Sequence, residues 1–430
     1  LNDRSKMYYT PNKENNVFQL VVQYGAGERE FPKLGYAAQL MNNAGIMGAY
    51  EPQELKEELS KLNATCHVTA DDDNLYIIME GYEATLPQAC QLLSRQILMP
   101  KLDEKQLARL KGSAMGMRQQ RKDNVSILNE ALRQYMLYGE KSDYIKELTD
   151  KEIYELQISE LTGDINRASN YEAKVFFTGT LPFDQVYDIL SKNLPLVANE
   201  RPSNSPQAKD MMPVTENTVY FLPNNDAEQA QIHLYIPMQK ADKKDDVLRS
   251  AFNQYFGLDF TGIVLNEIRE KRSMAYTAYA FVGTQGIAGK ASYLRGYIGT
   301  QNDKANDALD VLMGLVNDMP KNPERIDNIK SYLRQAMLTS HPSFRNKAME
   351  LVDLGYRGYT DDPAKENLPK VDALTFDDIV KFYEENIKDK PYCISIMGNP
   401  KNIDLKRLEK FGKVVKLNER KLFNTKDALF

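Results

Sequence analysis

Arg269 and Tyr276 stand seven residues apart in GLDFTGIVLNEIREKRSMAY, residues 257–276. Arginine is permanently charged and presents a rigid fork of donors, and a tyrosine hydroxyl can donate to a developing negative charge. Apolar residues at helical spacing predict a short amphipathic helix that ends in charges and leads into an aromatic strand. On a continuous helix the two side chains would share one face about 10 Å apart, and they come closer if the helix ends near Ser273.

Each of these residues also has a plain interpretation. Arg269, beside Lys271 and Arg272, fits a solvated cation near a helix C-terminus, where positive charge favours the helix dipole. Tyr276 by itself fits a core or strand aromatic. Tyr279 and Tyr293 are rival tyrosines for any shared role.

Other residue types that carry chemistry are few and scattered. The chain has three cysteines and three histidines, namely Cys66, Cys90, Cys393, His67, His233 and His341. The cysteines show neither metal-type spacing nor a disulfide framework, so we expect buried free thiols. No two histidines lie at helical spacing, so no helix is predicted to present a histidine pair to a metal.

Composition sets the broad class of protein. With 430 residues, 42% hydrophobic and 27% charged, the chain resembles an ordinary globular protein that is too long for one core, so two or more domains are expected. No basic stripe supports nucleic-acid binding. No apolar run approaches the roughly 18–20 residues of a membrane helix, so no membrane span is predicted.

The second half of the sequence repeats the landmarks of the first. The segment VFQLVVQYG (17–25) matches QAQIHLYIPM (229–238), and KVFFTGTLPFDQVYDIL (174–190) matches CISIMGNPKNIDLKRL (393–408). The glycines that close the last pair of strands, Gly179 and Gly398, lie 219 positions apart. The chain is therefore predicted to contain two copies of one fold.

The segment NERPSNSPQAKDMMP (199–213) has three prolines and reads as a linker. We place the linker at 199–214, one domain at 1–200 and its homologue at 215–430. In each copy, paired strands are followed by helix runs, such as 103–121 and 125–138. This order predicts an α+β fold, with a mostly antiparallel sheet and helices packed on one face in each domain.

The order of these features resembles that of the insulinase/pitrilysin zinc peptidases, the inverzincins. The resemblance covers nearly the whole chain and is carried by EELSKLNATCHVTADDDNLYIIMEG (57–81) and LNEIREKRSMAYTAY (265–279). Members of that family are built from tandem α+β domains, in two halves that close around a peptide-holding chamber. The resemblance implies that this chain is one such half.

The zinc motif of that family is H-x-x-E-H, and the matching stretch here is GYAAQLMNNAG (35–45). Its histidine positions fall on Ala38 and Asn42 and its glutamate on Met41, which can neither ligate zinc nor act as a base. The third ligand, a glutamate, should fall within KGSAMGMRQQRK (111–122), which contains no acid. The resemblance thus implies a non-zinc half that binds no cofactor, with zinc expected in a partner half.

Non-zinc halves carry an arginine and a tyrosine seven residues apart near a helix end in their second domain. These match Arg269 and Tyr276. The resemblance implies that both bind the peptide substrate across the chamber, where they hold its backbone and the carbonyl under attack.

Two hypotheses follow. In the first, the chain is the substrate-binding half of a zinc metalloendopeptidase, inactive alone, whose zinc-bearing half belongs to the same longer chain or to a separate subunit. In the second, it is a catalytically inactive scaffold subunit, which would have no reason to keep the Arg269 and Tyr276 pair. The first residue is leucine and no signal peptide is visible, so we expect a processed product or a piece of a longer chain. Unpaired cysteines are compatible with either cytoplasm or periplasm.

Overall fold

The protein is described by a computed structural model that covers residue 1 and residues 4–121, 124–196, 201–258 and 261–426. Its first half builds a five-stranded sheet in the order β1-β7-β2-β5-β4. The strands are β1 (Lys6–Pro11), β2 (Val17–Tyr24), β4 (Ala64–Ala70), β5 (Leu75–Tyr82) and β7 (Ala173–Gly179). Two short strands, β3 (Gly45–Ile46) and β6 (Pro100–Lys101), pair separately.

The second half builds a six-stranded sheet in the order β10-β11-β9-β12-β8-β13. Its strands are β8 (Thr218–Pro223), β9 (Gln229–Lys240), β10 (Ala275–Thr284), β11 (Ala291–Gln301), β12 (Cys393–Gly398) and β13 (Lys413–Lys416). Strand β1 runs parallel to β7, and β8 runs parallel to β12. From β7 to β4 and from β12 to β10, the three neighbouring pairs in each sheet are antiparallel. Apart from β13, the two sheets share one topology, and the predicted α+β fold with mostly antiparallel sheets is confirmed.

Helices of each half cover one face of its own sheet. The helices of the first half are α1 (Leu34–Met41), α2 (Pro52–Lys61), α3 (Leu86–Leu98), α4 (Glu104–Gln120), α5 (Val125–Tyr138), α6 (Asp143–Lys146), α7 (Asp150–Tyr154), α8 (Ile158–Ala168) and α9 (Phe183–Asn193). Inward residues of β2, β5 and β7 form a core with α1, α3 and α8. No helix among the described residues is long and apolar enough to cross a membrane.

The second half repeats this packing. Its helices are α10 (Asp246–Phe256), α11 (Ile263–Leu265), α12 (Ala305–Asn317), α13 (Ile326–Thr339), α14 (Lys347–Tyr356), α15 (Pro363–Ala373), α16 (Phe376–Asn386) and α17 (Leu405–Leu408). Inward residues of β9, β10, β11 and β12 form the largest core with α10, α12 and α16. Helix α16 begins with a capping box formed by Thr375 and Asp378.

One helix of each half also packs on the sheet of the other half. The α5 residues Met136 and Leu137 pack on Tyr235 and Cys393, on the outer face of the second sheet. In return, α14 packs through Ala348 on the outer face of the first sheet. Strands β7 and β12 are consequently covered on both faces, which agrees with their unbroken apolar sequences. The described part of the predicted linker, residues 201–214, has neither helix nor strand, and residues 199 and 200 lie outside the described chain.

Candidate functional site

The segment before β10 does not form the continuous helix that its pattern predicts. After α11 the chain widens into a single π-turn at Asn266–Glu270, and Ser273 then adopts a left-handed conformation at φ 48°. The wide turn is closed by Lys271 N–H, which donates to Asn266 O at 2.9 Å. Such π-turns occur frequently at functional sites. Residues 259 and 260, at the start of the predicted helix, lie outside the described residues.

Two of the three cations at this helix end are held by one carboxylate. Glu267 binds Lys271 Nζ at 2.6 Å and Arg272 Nη1 at 2.5 Å. These two hydrogen bonds keep the pKa of Glu267 below its usual value. Arg269 has only a loose contact with a neighbouring acid, because its Nε lies 3.4 Å from Glu270 Oε1. Arg269 is therefore the cation of this cluster with the longest ion pair.

The early helix end brings Arg269 and Tyr276 together. The guanidinium carbon of Arg269 lies 5.1 Å from the centroid of the Tyr276 ring, within cation–π range. Their separation is therefore shorter than a continuous helix would give. Tyr276 remains 77% exposed, although it belongs to a strand of the second sheet.

A β-bulge explains this exposure. Ala275 pairs with Thr300, but Thr277 pairs with Gly299, so Tyr276 is the extra residue in β10. Bulges turn a side chain away from the regular alternation and are common beside active sites. Thr300 Oγ1 donates to Met274 O at 2.5 Å and so fixes the start of the strand.

The rival tyrosines have other environments. The Tyr279 ring lies 5.2 Å from that of Tyr297, and the Tyr293 ring lies 6.3 Å from that of Tyr235. Both are half-buried members of an aromatic surface on the outer face of the second sheet. Tyr276 is the tyrosine that carries Arg269 on its ring.

The zinc-motif positions have structural roles in this chain. Ala38 and Met41 are 2% and 1% exposed in the first core. The Asn42 side-chain amide donates to Val68 O at 2.9 Å and accepts from Val68 N at 2.7 Å. A methyl group, a core thioether and an amide that is bonded to the backbone through both its oxygen and its nitrogen do not fit a zinc site. Within the described ranges, no three His, Cys, Asp or Glu side chains are grouped to hold a metal.

The scattered histidines and cysteines are accommodated locally. His67 is exposed on β4, whereas His233 is 3% exposed and lies 3.1 Å from Asn129 Oδ1 through its Nε2. Burial lowers the pKa of His233 to about 3, so the ring is neutral. Cys90 and Cys393 are buried and Cys66 is half-buried, all as free thiols. Burial raises the pKa of Cys66 and of Cys90 to about 12, which makes both unreactive.

The fold and the sequence were compared with known proteins. Residues 169–333, which include Arg269 and Tyr276, match the family described as the peptidase M16 inactive domain. The fold is similar to a crystal structure of a peptidase M16 inactive domain from Pseudomonas fluorescens, with TM-score 0.71 and 17% identity over 93% of this chain and 97% of that one. The comparison with curated proteins finds no match.

Two longer proteases share the fold. The periplasmic protease PqqL from Escherichia coli matches with TM-score 0.68 and 13% identity, over 90% of this chain and 43% of that one. The ferredoxin protease FusC, solved as a mutant with Arabidopsis ferredoxin, matches with TM-score 0.70 and 12% identity, over 91% and 44%. This chain thus spans less than half of either protease. The fold is similar to that of a solved M16 inactive domain. Residues 169–333 match the family model of the peptidase M16 inactive domain, and this match confirms the predicted resemblance.

Proposed function

We propose that this chain is the substrate-binding, non-zinc half of a zinc metallopeptidase, and that Arg269 and Tyr276 bind the peptide there. The observation that carries the proposal is the exposed pair itself: a 77% exposed tyrosine, placed by a bulge, with an arginine 5.1 Å above its ring. Tyr276 contributes little to packing in that position, because most of its surface is exposed. A pure scaffold would gain nothing from this arrangement.

The two side chains suit different parts of the task. The Arg269 fork can donate to backbone carbonyl oxygens of an extended peptide. The Tyr276 hydroxyl can donate to the oxygen of the attacked carbonyl, and such a bond is strongest when that oxygen becomes an oxyanion. When bound in the other half, zinc would supply the activated water.

The comparisons support a second half outside this chain. PqqL and FusC are each more than twice as long as the region that matches, and the matched family model is an inactive domain. We therefore expect the zinc-bearing half in the same longer chain or in a separate subunit. For the isolated chain, we expect no stoichiometric zinc by elemental analysis after dialysis and no peptide hydrolysis.

The experiment begins with a search for H-x-x-E-H in the same or an adjacent reading frame, followed by expression of both halves together. Hydrolysis of a quenched fluorescent peptide is then measured. Tyr276→Phe should lower kcat by about tenfold to a thousandfold with little change in KM, since the hydroxyl acts mainly in the transition state. Arg269→Ala should also raise KM, and Arg269→Lys should restore it only in part, because the fork is lost.

Tyr154→Phe is the matched control. That tyrosine is 69% exposed and also has a cation near its ring, Lys111 Nζ at 6.0 Å from the centroid, but it lies on α7 in the other half of the chain. The control should keep the parent kinetics. If Tyr276→Phe and Arg269→Ala also keep them, the scaffold hypothesis replaces the peptidase one.

A further inference from the structure

The outer face of the second sheet carries a half-buried arginine, Arg295. Arg295 lies on β11, opposite Phe281 on β10 and Tyr235 on β9. Its Nε is buried and makes no hydrogen bond, and Arg295 forms no ion pair within the part of the chain that the structure describes. Arg249, by contrast, is paired with Asp246. A buried N–H donor without an acceptor is unfavourable and is unusual in a folded protein.

A second arginine of this region already has an ion pair. On α5, Arg133 faces the same region and is paired with Glu130, from Nε to Oε2 at 2.7 Å. Burial lowers the pKa of His233, and the positive charges of Arg295 and Arg133 lower it further, so the ring adds no charge of its own. Of the two arginines, Arg133 already has its carboxylate. The remaining positive charge belongs to Arg295.

Arg295 is aligned with the proposed peptide site. Thr277, beside Tyr276, pairs with Gly299, and Arg295 lies four residues from Gly299 along β11, which is about 13 Å. Half-buried Tyr279 and Tyr297 cover the surface between them. An extended peptide that follows these strands from Tyr276 would place a side chain near Arg295 after about four residues.

We propose that Arg295 binds a carboxylate of the peptide held at Tyr276, and that the second sheet thereby selects peptides with an acidic group about four residues from that point. The inference rests on the proposed function and adds a substrate class to it. The chemistry is the charge-assisted fork that arginine forms with carboxylates. The carboxylate can be an acidic side chain or the end of the peptide chain.

The test measures binding to the chain itself by fluorescence anisotropy, so it does not depend on hydrolysis. The probes are labelled, amidated peptides in which one Glu is moved along a neutral sequence, their Gln counterparts, and one neutral peptide with a free C-terminus. We expect one Glu position, or the free C-terminus, to bind about tenfold or more tightly than its uncharged counterpart. A preferred Glu identifies a side chain, and a response confined to the free acid identifies the chain end.

In Arg295→Gln the affinities of the charged and uncharged peptides should converge, and Arg295→Lys should keep part of the difference. Arg334→Gln removes the same charge from α13, where Arg334 Nε binds Asp372 at 2.8 Å, and should keep the full difference. Thermal melts show whether each variant is folded. Absence of binding, equal affinities, or a preference that survives Arg295→Gln would overturn the inference. If the parent chain prefers the charged peptide and Tyr276→Phe leaves hydrolysis unchanged, the proposed function is wrong but the inference about Arg295 is retained.

Discussion

The edge strands β4 and β10 occupy equivalent places in their sheets, yet only one presents a candidate site. Each follows a residue in the left-handed conformation, Asn63 at φ 47° and Ser273 at φ 48°. Strand β4 pairs with β5 without interruption over its whole length, and Asn42 occupies its free edge at Val68. Strand β10 bulges at Tyr276. One topology thus gives a blocked edge in one half and an exposed side chain in the other.

The two halves carry different residues at equal distances from the left-handed residue. Arg269 lies four residues before Ser273 and Tyr276 three after it; the same steps from Asn63 lead to Leu59 and Cys66. Leu59 is 9% exposed in the first core, and α2 is a regular helix with a capping box. The second half has a π-turn and a bulge at the corresponding places. With these two irregularities, the second half has a half-buried arginine and an exposed tyrosine where the first half has packing residues.

The largest effect is expected where β4 is blocked. Asn42→Ala removes the partner of both Val68 backbone groups, and each unpaired buried group costs about 1–3 kcal/mol, so we expect a loss of about 2–4 kcal/mol in the free energy of unfolding. Urea unfolding measures it. The exposed neighbour Asn43 provides the control, and Asn43→Ala should change little. Equal, small losses in both variants would show that Asn42 does not hold the edge.

A second difference concerns how the first helix of each half begins. At α10, Asp246 is paired with Arg249 and Arg357. Near the start of α1, Glu28 is partly buried, accepts a hydrogen bond from the Gly35 backbone and has no ion pair among the described residues. Burial, followed by repulsion from Asp72, raises its pKa from 4.5 to about 7.

Because the folded state binds this proton more tightly, stability should fall as pH rises from about 4.5 to about 7 and then level off. Allowing for solvent screening, we expect about 1–2 kcal/mol over that range. Urea unfolding of Glu28→Gln from pH 4.5 to 8 should lack this part of the slope, whereas the exposed control Glu14→Gln should retain it. If the free energy of unfolding depends on pH in the same way in the parent protein and in both variants, Glu28 does not contribute to this pH dependence.

Much of the architecture was visible in the sequence. The repeated strand-Gly segments correspond to β7 and β12, and the helix runs at 103–121 and 125–138 correspond to α4 and α5. The sequence pattern of α5 does not predict that this helix packs on the second sheet. An amphipathic pattern predicts an apolar face but not the surface against which that face packs. The sequence therefore predicts elements better than it predicts which sheet a helix covers.

Some features of the candidate site can also be predicted from the sequence, and others cannot. The sequence contains a pattern that indicates the bulge. The inward residues Ala275, Ala278, Ala280 and Val282 alternate regularly except for one extra residue between 275 and 278. The π-turn has no such pattern, because its residues are ordinary helix formers. Arg295 was missed because its lack of a partner depends on the register of three strands, which no local pattern encodes.

The smallest effect on stability is expected at Arg269 and Tyr276. If Arg269 and Tyr276 serve a ligand and not the fold, Arg269→Ala and Tyr276→Ala should each change the free energy of unfolding by at most about 1 kcal/mol, the value of an exposed cation–π contact. Leu59→Ala, at the matching position of α2, should cost about 2–4 kcal/mol, since it leaves a cavity in the first core. Urea unfolding of the three variants measures this contrast. Losses of similar size at Arg269 and Leu59 would mean that the π-turn depends on Arg269 for its stability, and the exposed pair would then be part of the packing.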